Sequence, residues 1–282
     1  MLDFKSIFAY GVGSSLQAVV IFSFSILISR VYTSHEFFLW GVYSATFLML
    51  SNLICGASVT LLLKQNTYKK AYELFLFSSL IFAPFIFFVL LIFILILNIF
   101  IDFQNFLILS ITSLISSFGY SILTICLTFL RRNEKIKNYL AVSAFFYMSY
   151  ALIVATLTFN GFSFYSLIIT SSFLLFITSF IIFIYLRYYA FPLHLSLGDF
   201  SSDTLGKYST YGYVVPIHMA MASSFFLLDK YILSFDWPSE MLALYQSTFT
   251  LGSIMMVIVN AITLNWTPQS YSLLRKVEYL DY

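Results

Sequence analysis

Apolar runs of about 20 residues, the length that crosses a bilayer core, recur along the chain with short polar breaks between them. They predict helices at 8–29, 37–63, 74–101, 106–130, 139–159, 162–185, 208–228 and 241–265, about eight in all. The run at 74–101 shows why these are helices. It has none of the in-and-out alternation of a barrel strand, and it is too long for one. Runs beyond about 20 residues imply tilt or extension past the lipid. Pro84 and Pro216 fall inside the third and seventh runs and mark candidate kinks, because neighbouring helices can satisfy the freed carbonyls.

Composition fixes the solvent. Hydrophobic residues are 61% of the chain and charged residues 9%, against about 25% charged in a soluble domain. So few polar groups cannot cover a water-facing surface, and the expected fold class is an all-α polytopic membrane protein. The net charge of +2 argues for no particular partner, and the basic residues sit where membrane topology explains them, which speaks against nucleic acid. Cys55 and Cys126 both lie inside apolar runs and read as small buried side chains, not as a disulfide framework or metal site. The N-terminus, Met1 to Lys5, lacks the basic segment and small-residue cleavage site of a secretory signal, so the first run is expected to remain as helix one.

Lys and Arg orient the helices. Lys5, Lys64, Lys69, Lys70, Arg131, Arg132, Lys135, Lys137, Arg187, Lys207, Arg275 and Lys276 all fall on one side of the predicted bundle. By the positive-inside rule that side is cytoplasmic and carries both termini. An odd helix count would scramble the pattern. Only Arg30 and Lys230 lie on the other side. Two readings are open for them: snorkelling at a helix end, or the cationic lining of a central cavity.

The opening of the chain recurs near its end. Tyr10-Gly11 precedes Arg30, then a polar break with Glu36; Tyr211-Gly212 precedes Asp229-Lys230, then a break with Glu240. The extra residues of the second copy, Asp236-Trp237-Pro238, fall in the break, where insertions belong. Between the copies, 190–207 holds Pro192, His194, Gly198, Asp199, Asp203 and several serines, and reads as a cytoplasmic linker. The expected division is a six-helix N-terminal lobe at 1–189, the linker at 190–207 and the first hairpin of a second lobe at 208–282.

Arg30-Val31-Tyr32, Glu36 to Tyr43, Gly56 to Leu61, Tyr208 to Pro216, Leu228 to Leu233, Tyr245-Gln246-Ser247 and Trp266-Thr267-Pro268 together carry a resemblance. The chain resembles the polysaccharide-export flippases of the multidrug/oligosaccharidyl-lipid/polysaccharide superfamily, the Wzx-type O-antigen flippases in particular. The resemblance implies two six-helix lobes around a central cavity, lined by the first and seventh helices. It implies alternating access, an inner-membrane location, and transfer of an undecaprenyl-pyrophosphate-linked O-antigen or capsule repeat unit to the outer leaflet. Its partners would be the lipid-linked oligosaccharide, membrane lipids and the polysaccharide polymerase machinery. The chain ends after about eight helices, so the second lobe is only begun.

A pyrophosphate and a sugar do not cross about 30 Å of hydrocarbon unaided. The expectation is that Arg30 and Lys230 attract the anion, with Asp229 tuning Lys230 or binding a coupling cation. No cofactor is expected beyond coupling to an H+ or Na+ gradient. Gln17, Asn52, His218 and Asn260 are polar at membrane depth; helix–helix hydrogen bonding explains them, and cavity roles for Gln17, Asn52 and His218 are the alternative. No P-loop, zinc-protease motif or Cys/His cluster points to an enzyme. The opposing readings are a membrane-embedded polysaccharide polymerase or acyltransferase, which would want a long outer loop with Arg or a His-Asp pair, and a cation-coupled drug exporter. The exporter would want a carboxylate deep in an N-lobe helix, and the first helix has none after Asp3.

Overall fold

The computed structural model describes residues 4–65, 68–100, 106–133, 135–190, 206 and 214–252. Most of the predicted linker, the motifs at 208–213 and 266–268, Asn260 and the second half of the eighth run lie outside the described residues. The described chain is helical throughout, without a strand. Its helices are α1 (Phe4–Val31), α2 (Ser34–Lys64), α3 (Tyr68–Phe77), α4 (Ala83–Phe100), α5 (Phe106–Arg132), α6 (Ile136–Phe159), α7 (Phe164–Tyr185), α8 (Val214–Asp236) and α9 (239–252). Among the described residues, five helices are long and apolar enough to cross a membrane: Ser34–Lys64, Tyr68–Leu97, Leu107–Arg132, Ile136–Phe159 and Phe164–Tyr188. The protein is an all-α polytopic membrane protein.

Local chemistry sets the breaks. Thr33 caps α2 with a reciprocal capping box: its hydroxyl accepts the Glu36 N–H at 3.3 Å, and the Glu36 carboxylate accepts the Thr33 N–H at 2.9 Å. Ser163 caps α7, its hydroxyl accepting the Ser166 N–H, just after Gly161 takes a positive φ of 72°. The third predicted run is one rod, with a π-helical turn at Ser78–Phe82 between α3 and α4. Pro84 explains the turn. Proline has no N–H to donate and its ring crowds the carbonyl four residues back. A wider turn just before it relieves both. Pro216 stands in the first turn of α8 as described.

Side-chain registers reveal the packing. The hydroxyls of Ser113, Ser117 and Ser121 of α5 lie 3.4, 2.8 and 3.3 Å from the carbonyls of Tyr43, Phe47 and Ser51 of α2, each pair 70 residues apart, and those of Ser117 and Ser121 are shared with carbonyls one turn back in α5. A constant separation means that α2 and α5 run parallel and in register. The serines permit this close approach, since their small side chains bond a neighbouring backbone instead of holding it off. Gly13 meets Tyr139 and Phe24 meets Tyr150, advancing equally along α1 and α6, so that pair is parallel too. On α5, Gly119 lets the backbone of α7 come so near that a Cβ there would sit 2.7 Å from the Phe176 Cα.

Alternate helices pointing the same way is what an even-handed series of membrane crossings produces. Their basic ends meet. The Arg132 guanidinium donates from Nε and Nη2 to the Gln65 carbonyl at 2.9 and 2.6 Å, binding α5 to the end of α2. Phe75 stacks on Phe129 at 4.7 Å and touches Phe183 at 5.4 Å, joining α3, α5 and α7 nearby. At the opposite end the Tyr32 hydroxyl donates to the Phe162 carbonyl at 2.9 Å. Helix α5 is the most enclosed of the five crossing helices, with 72% of its apolar window buried, against 11% for the α3–α4 rod. The rod exposes Phe85, Phe88, Ile92 and Phe93. An apolar face of that kind requires lipid as its solvent.

Candidate functional site

Helix α8 lies antiparallel along α2 and carries the chain's one buried lysine among the described residues, Lys230. Three contacts set the register. Pro216 and Met219 lie against Gly56, the Asn52 amide donates to the Ser223 hydroxyl at 2.6 Å, and Leu227 and Leu233 pack on a cluster of Phe38, Val42 and Leu242. The α2 positions 41, 52 and 56 fall on one face of a helix at 3.6 residues per turn. That face is Gly, Asn, Gly, so α8 and α9 approach the α2 backbone closely.

Lys230 sits where α2, α8 and α9 converge and is 1% exposed. Its ammonium donates to the Gln246 amide oxygen at 2.7 Å and stands 4.0 Å above the Phe249 ring and 5.6 Å above the Tyr245 ring. Gln246 is held in turn: its amide donates to the Thr250 hydroxyl at 3.3 Å, and that hydroxyl donates to the Gln246 carbonyl at 2.8 Å. Gly41 makes room for this arrangement, because a Cβ at position 41 would collide with the Gln246 amide. The ammonium is thus paired with a neutral dipole and two ring faces.

Magnitudes show how unusual the balance is. Removing an ammonium from water costs several kcal/mol even after relaxation. A hydrogen bond to a charged group returns about 1.5–3 kcal/mol, and a desolvated cation–π contact about 2 kcal/mol. The Lys230 site recovers much of its cost, without a carboxylate bonded to the ammonium among the described residues. Asp229, the adjacent residue, is exposed and turned elsewhere, as successive helical positions point about 100° apart. Its carboxylate accepts from the Tyr245 hydroxyl at 3.1 Å, at the rim of an open groove lined also by Ile232 and Leu233.

The sequence-based site is distributed differently from its expectation. Arg30 and Lys230 were expected at equivalent places in the two repeats. Arg30 is exposed in the last turn of α1, whereas Lys230 is buried almost two turns before the end of α8. The seventh run was expected to stop at 228. The helix continues to Asp236 because Ile232 and Leu233 extend its apolar pattern past the charges, and Pro238 closes the following break. Asn52 is engaged with Ser223, and His218 is exposed on α8. Gln17 lies in α1 but its side chain is outside the described set.

Gln246, Gly41, Phe249 and Ser223 were missed as site residues. Gln246 and Gly41 occur in the repeated hairpin segments, yet only the three-helix junction reveals that one fills the space left by the other. The serine register of α5 was legible in principle from the i, i+4, i+8 spacing of 113, 117 and 121. Among the described residues, no group of three or more His, Cys, Asp or Glu gathers to hold a metal ion. No protein-family model, curated protein or solved structure matches the chain.

Proposed function

We propose that the chain is a flippase for a lipid-linked oligosaccharide. It would carry an undecaprenyl-pyrophosphate-linked repeat unit of O-antigen or capsule from the cytoplasmic to the outer leaflet of the inner membrane by alternating access. The observation that carries this reading is Lys230, a cation enclosed by three helices of a membrane protein and bonded to an amide. Ionisable residues inside membrane bundles are costly to maintain and mark the paths of polar or charged ligands. The described hydrogen-bond partner of the ammonium is a neutral amide, which leaves its positive charge uncancelled apart from the through-space attraction of Asp229.

The helix order supports the same reading. Helices α1 and α2, and again α8 and α9, are joined by two-residue breaks with a glutamate in the next turn, Glu36 and Glu240. A repeated hairpin is the element from which two-lobed alternating-access bundles are built. With the basic helix ends in the cytoplasm, Arg30 and the Lys230 junction lie toward the outer leaflet. The lipid tail stays in the bilayer throughout, so only the head group needs a polar route.

The test is reconstitution of the chain in vesicles with a fluorescent short-chain pyrophosphate-linked oligosaccharide. Protein-containing vesicles are expected to move the probe to the leaflet where a membrane-impermeant quencher reaches it, and Lys230→Met is expected to slow that movement about tenfold, a loss near 1.4 kcal/mol. In cells, Arg30→Ala at unchanged protein abundance should lower surface polysaccharide. Probe movement no faster than in protein-free vesicles would end this reading.

A further inference from the structure

We infer that Gly41, Gln246 and Lys230 form a latch between α2 and the α8–α9 hairpin, which hides the cation when closed and opens it to water when the two part; the inference rests on the reading of Lys230 as the anion-attracting group. The argument turns on where the partners of the ammonium come from. Gln246, Phe249 and Tyr245 all belong to α9, and Lys230 itself to α8. Helix α2 gives the ammonium no described hydrogen bond. It supplies a cover, the bare backbone at Gly41, against which the Gln246 amide is seated.

Parting α2 from the hairpin therefore leaves every described bond of Lys230 intact. What is lost at this end is the apolar contact of Phe38 and Val42 with Leu242, Leu227 and Leu233, and farther along α2 the Asn52–Ser223 hydrogen bond. What is gained is the hydration of an ammonium that the closed state holds away from water. The terms oppose each other, and a switching element works through such an opposition. A glycine at 41 favours the closed state, since a side chain there has to push the Gln246 amide off its seat and away from the ammonium it bonds. The open state makes no such demand. Position 41 thus sets the balance between the states while touching no ligand.

Water access to position 230 tests this directly. The full chain, with Cys55 and Cys126 replaced by Ala, carries Lys230→Cys and is purified in detergent; the rate of its modification by a charged, water-soluble thiosulfonate is measured. Because the cation is gone, the rate reports the cover alone. Ile232→Cys, at a position 63% exposed in the open groove beside Asp229 and Tyr245, gives the reference rate. The thiol introduced at position 230 is expected to react at least about tenfold more slowly than the one at position 232, and Gly41→Leu to remove most of that difference without changing the rate at 232. Gln246→Ala, which removes the seated amide without adding volume, should also speed labelling at 230. Equal rates at 230 and 232 with Gly41 in place would overturn the latch. So would an unchanged rate at 230 in both variants when each elutes as a single species. No transport is read in this assay, so its failure counts against the latch alone, and a failed flipping assay counts against the flippase reading.

Discussion

The Tyr43 hydroxyl stands 2.6 Å from the Ser116 hydroxyl and 3.1 Å from that of Ser172, so one phenol ties α2, α5 and α7 together at a single depth. These are the three helices at the centre of the bundle. Hydrogen bonds between membrane helices average about 0.6 kcal/mol and rarely exceed about 1.7 kcal/mol, because the separated helices also find partners. Tyr43→Phe should therefore cost about 1 kcal/mol in reversible unfolding. Tyr43→Ala should cost about 3–5 kcal/mol, since it also empties an enclosed volume. A Phe variant as damaging as Ala would show that the hydroxyl network, not the ring, holds the centre together.

Gly119 gives a sharper steric prediction. The Phe176 Cα would lie 2.7 Å from an added Cβ, and that atom is backbone, which cannot rotate away. Gly119→Ala should destabilise by about 1–3 kcal/mol through forced separation of α5 and α7. Gly161 is the useful contrast: nothing lies within 4 Å of its Cβ position, but its φ is 72°. Gly161→Ala should cost about 1–2 kcal/mol from backbone strain alone. Asn at 161 should recover part of that loss whereas Asn at 119 should not, and thermal unfolding of the four variants reads the difference.

Arg132 closes the α2 helix by donating two hydrogen bonds to one carbonyl, that of Gln65. Lysine keeps the charge but presents a point ammonium in place of a fork. Arg132→Lys is expected to lose about 1 kcal/mol and Arg132→Met about 2–3 kcal/mol, the range of a hydrogen bond with one charged partner. Equal losses in the two variants, read by thermal unfolding, would assign the effect to geometry and not to charge.

Lys230→Met should separate stability from function. A well-packed apolar side chain in place of buried ionic groups is worth up to about 1–4 kcal/mol, offset in part because the Gln246 amide oxygen loses its donor while the amide N–H keeps Thr250. The variant should melt no earlier than the native chain and, on the proposed flippase reading, should move the lipid-linked probe more slowly. An earlier melt would mean that the ammonium contributes net stability to the junction, and that its partners outweigh its desolvation.

Asn52 and Ser223 lie on facing helices, at 2.6 Å, and a double-mutant cycle isolates their coupling. The expected value for Asn52→Leu with Ser223→Ala is about 0.6 kcal/mol, by the same membrane average. A coupling near zero would place the α2–α8 register with Gly41 and Gly56 instead.

The sequence by itself determined the solvent and several of the crossings. Apolar runs near the bilayer thickness can satisfy their backbone only as helices in lipid, and the ends of the runs at 37–63, 106–130 and 139–159 lie no more than three residues from the observed helix ends. Capping was equally local: Thr33 and Glu36 meet across a single turn. The tertiary structure decided everything that depends on which faces meet. An apolar helix bathed in lipid has little periodic contrast between its buried and exposed sides, so the pattern that reveals a soluble core is weak here. That is why the serine register between α2 and α5, and the seat for Gln246 at Gly41, appear only when helices distant in sequence are brought together. The charges at 229 and 230 make the point most sharply. Adjacent in the chain, they part on the helix: Asp229 goes to an open groove, while Lys230 goes beneath α2. A pair of letters cannot say which of two residues 100° apart will be covered; the docking of α8 on the glycines of α2 does.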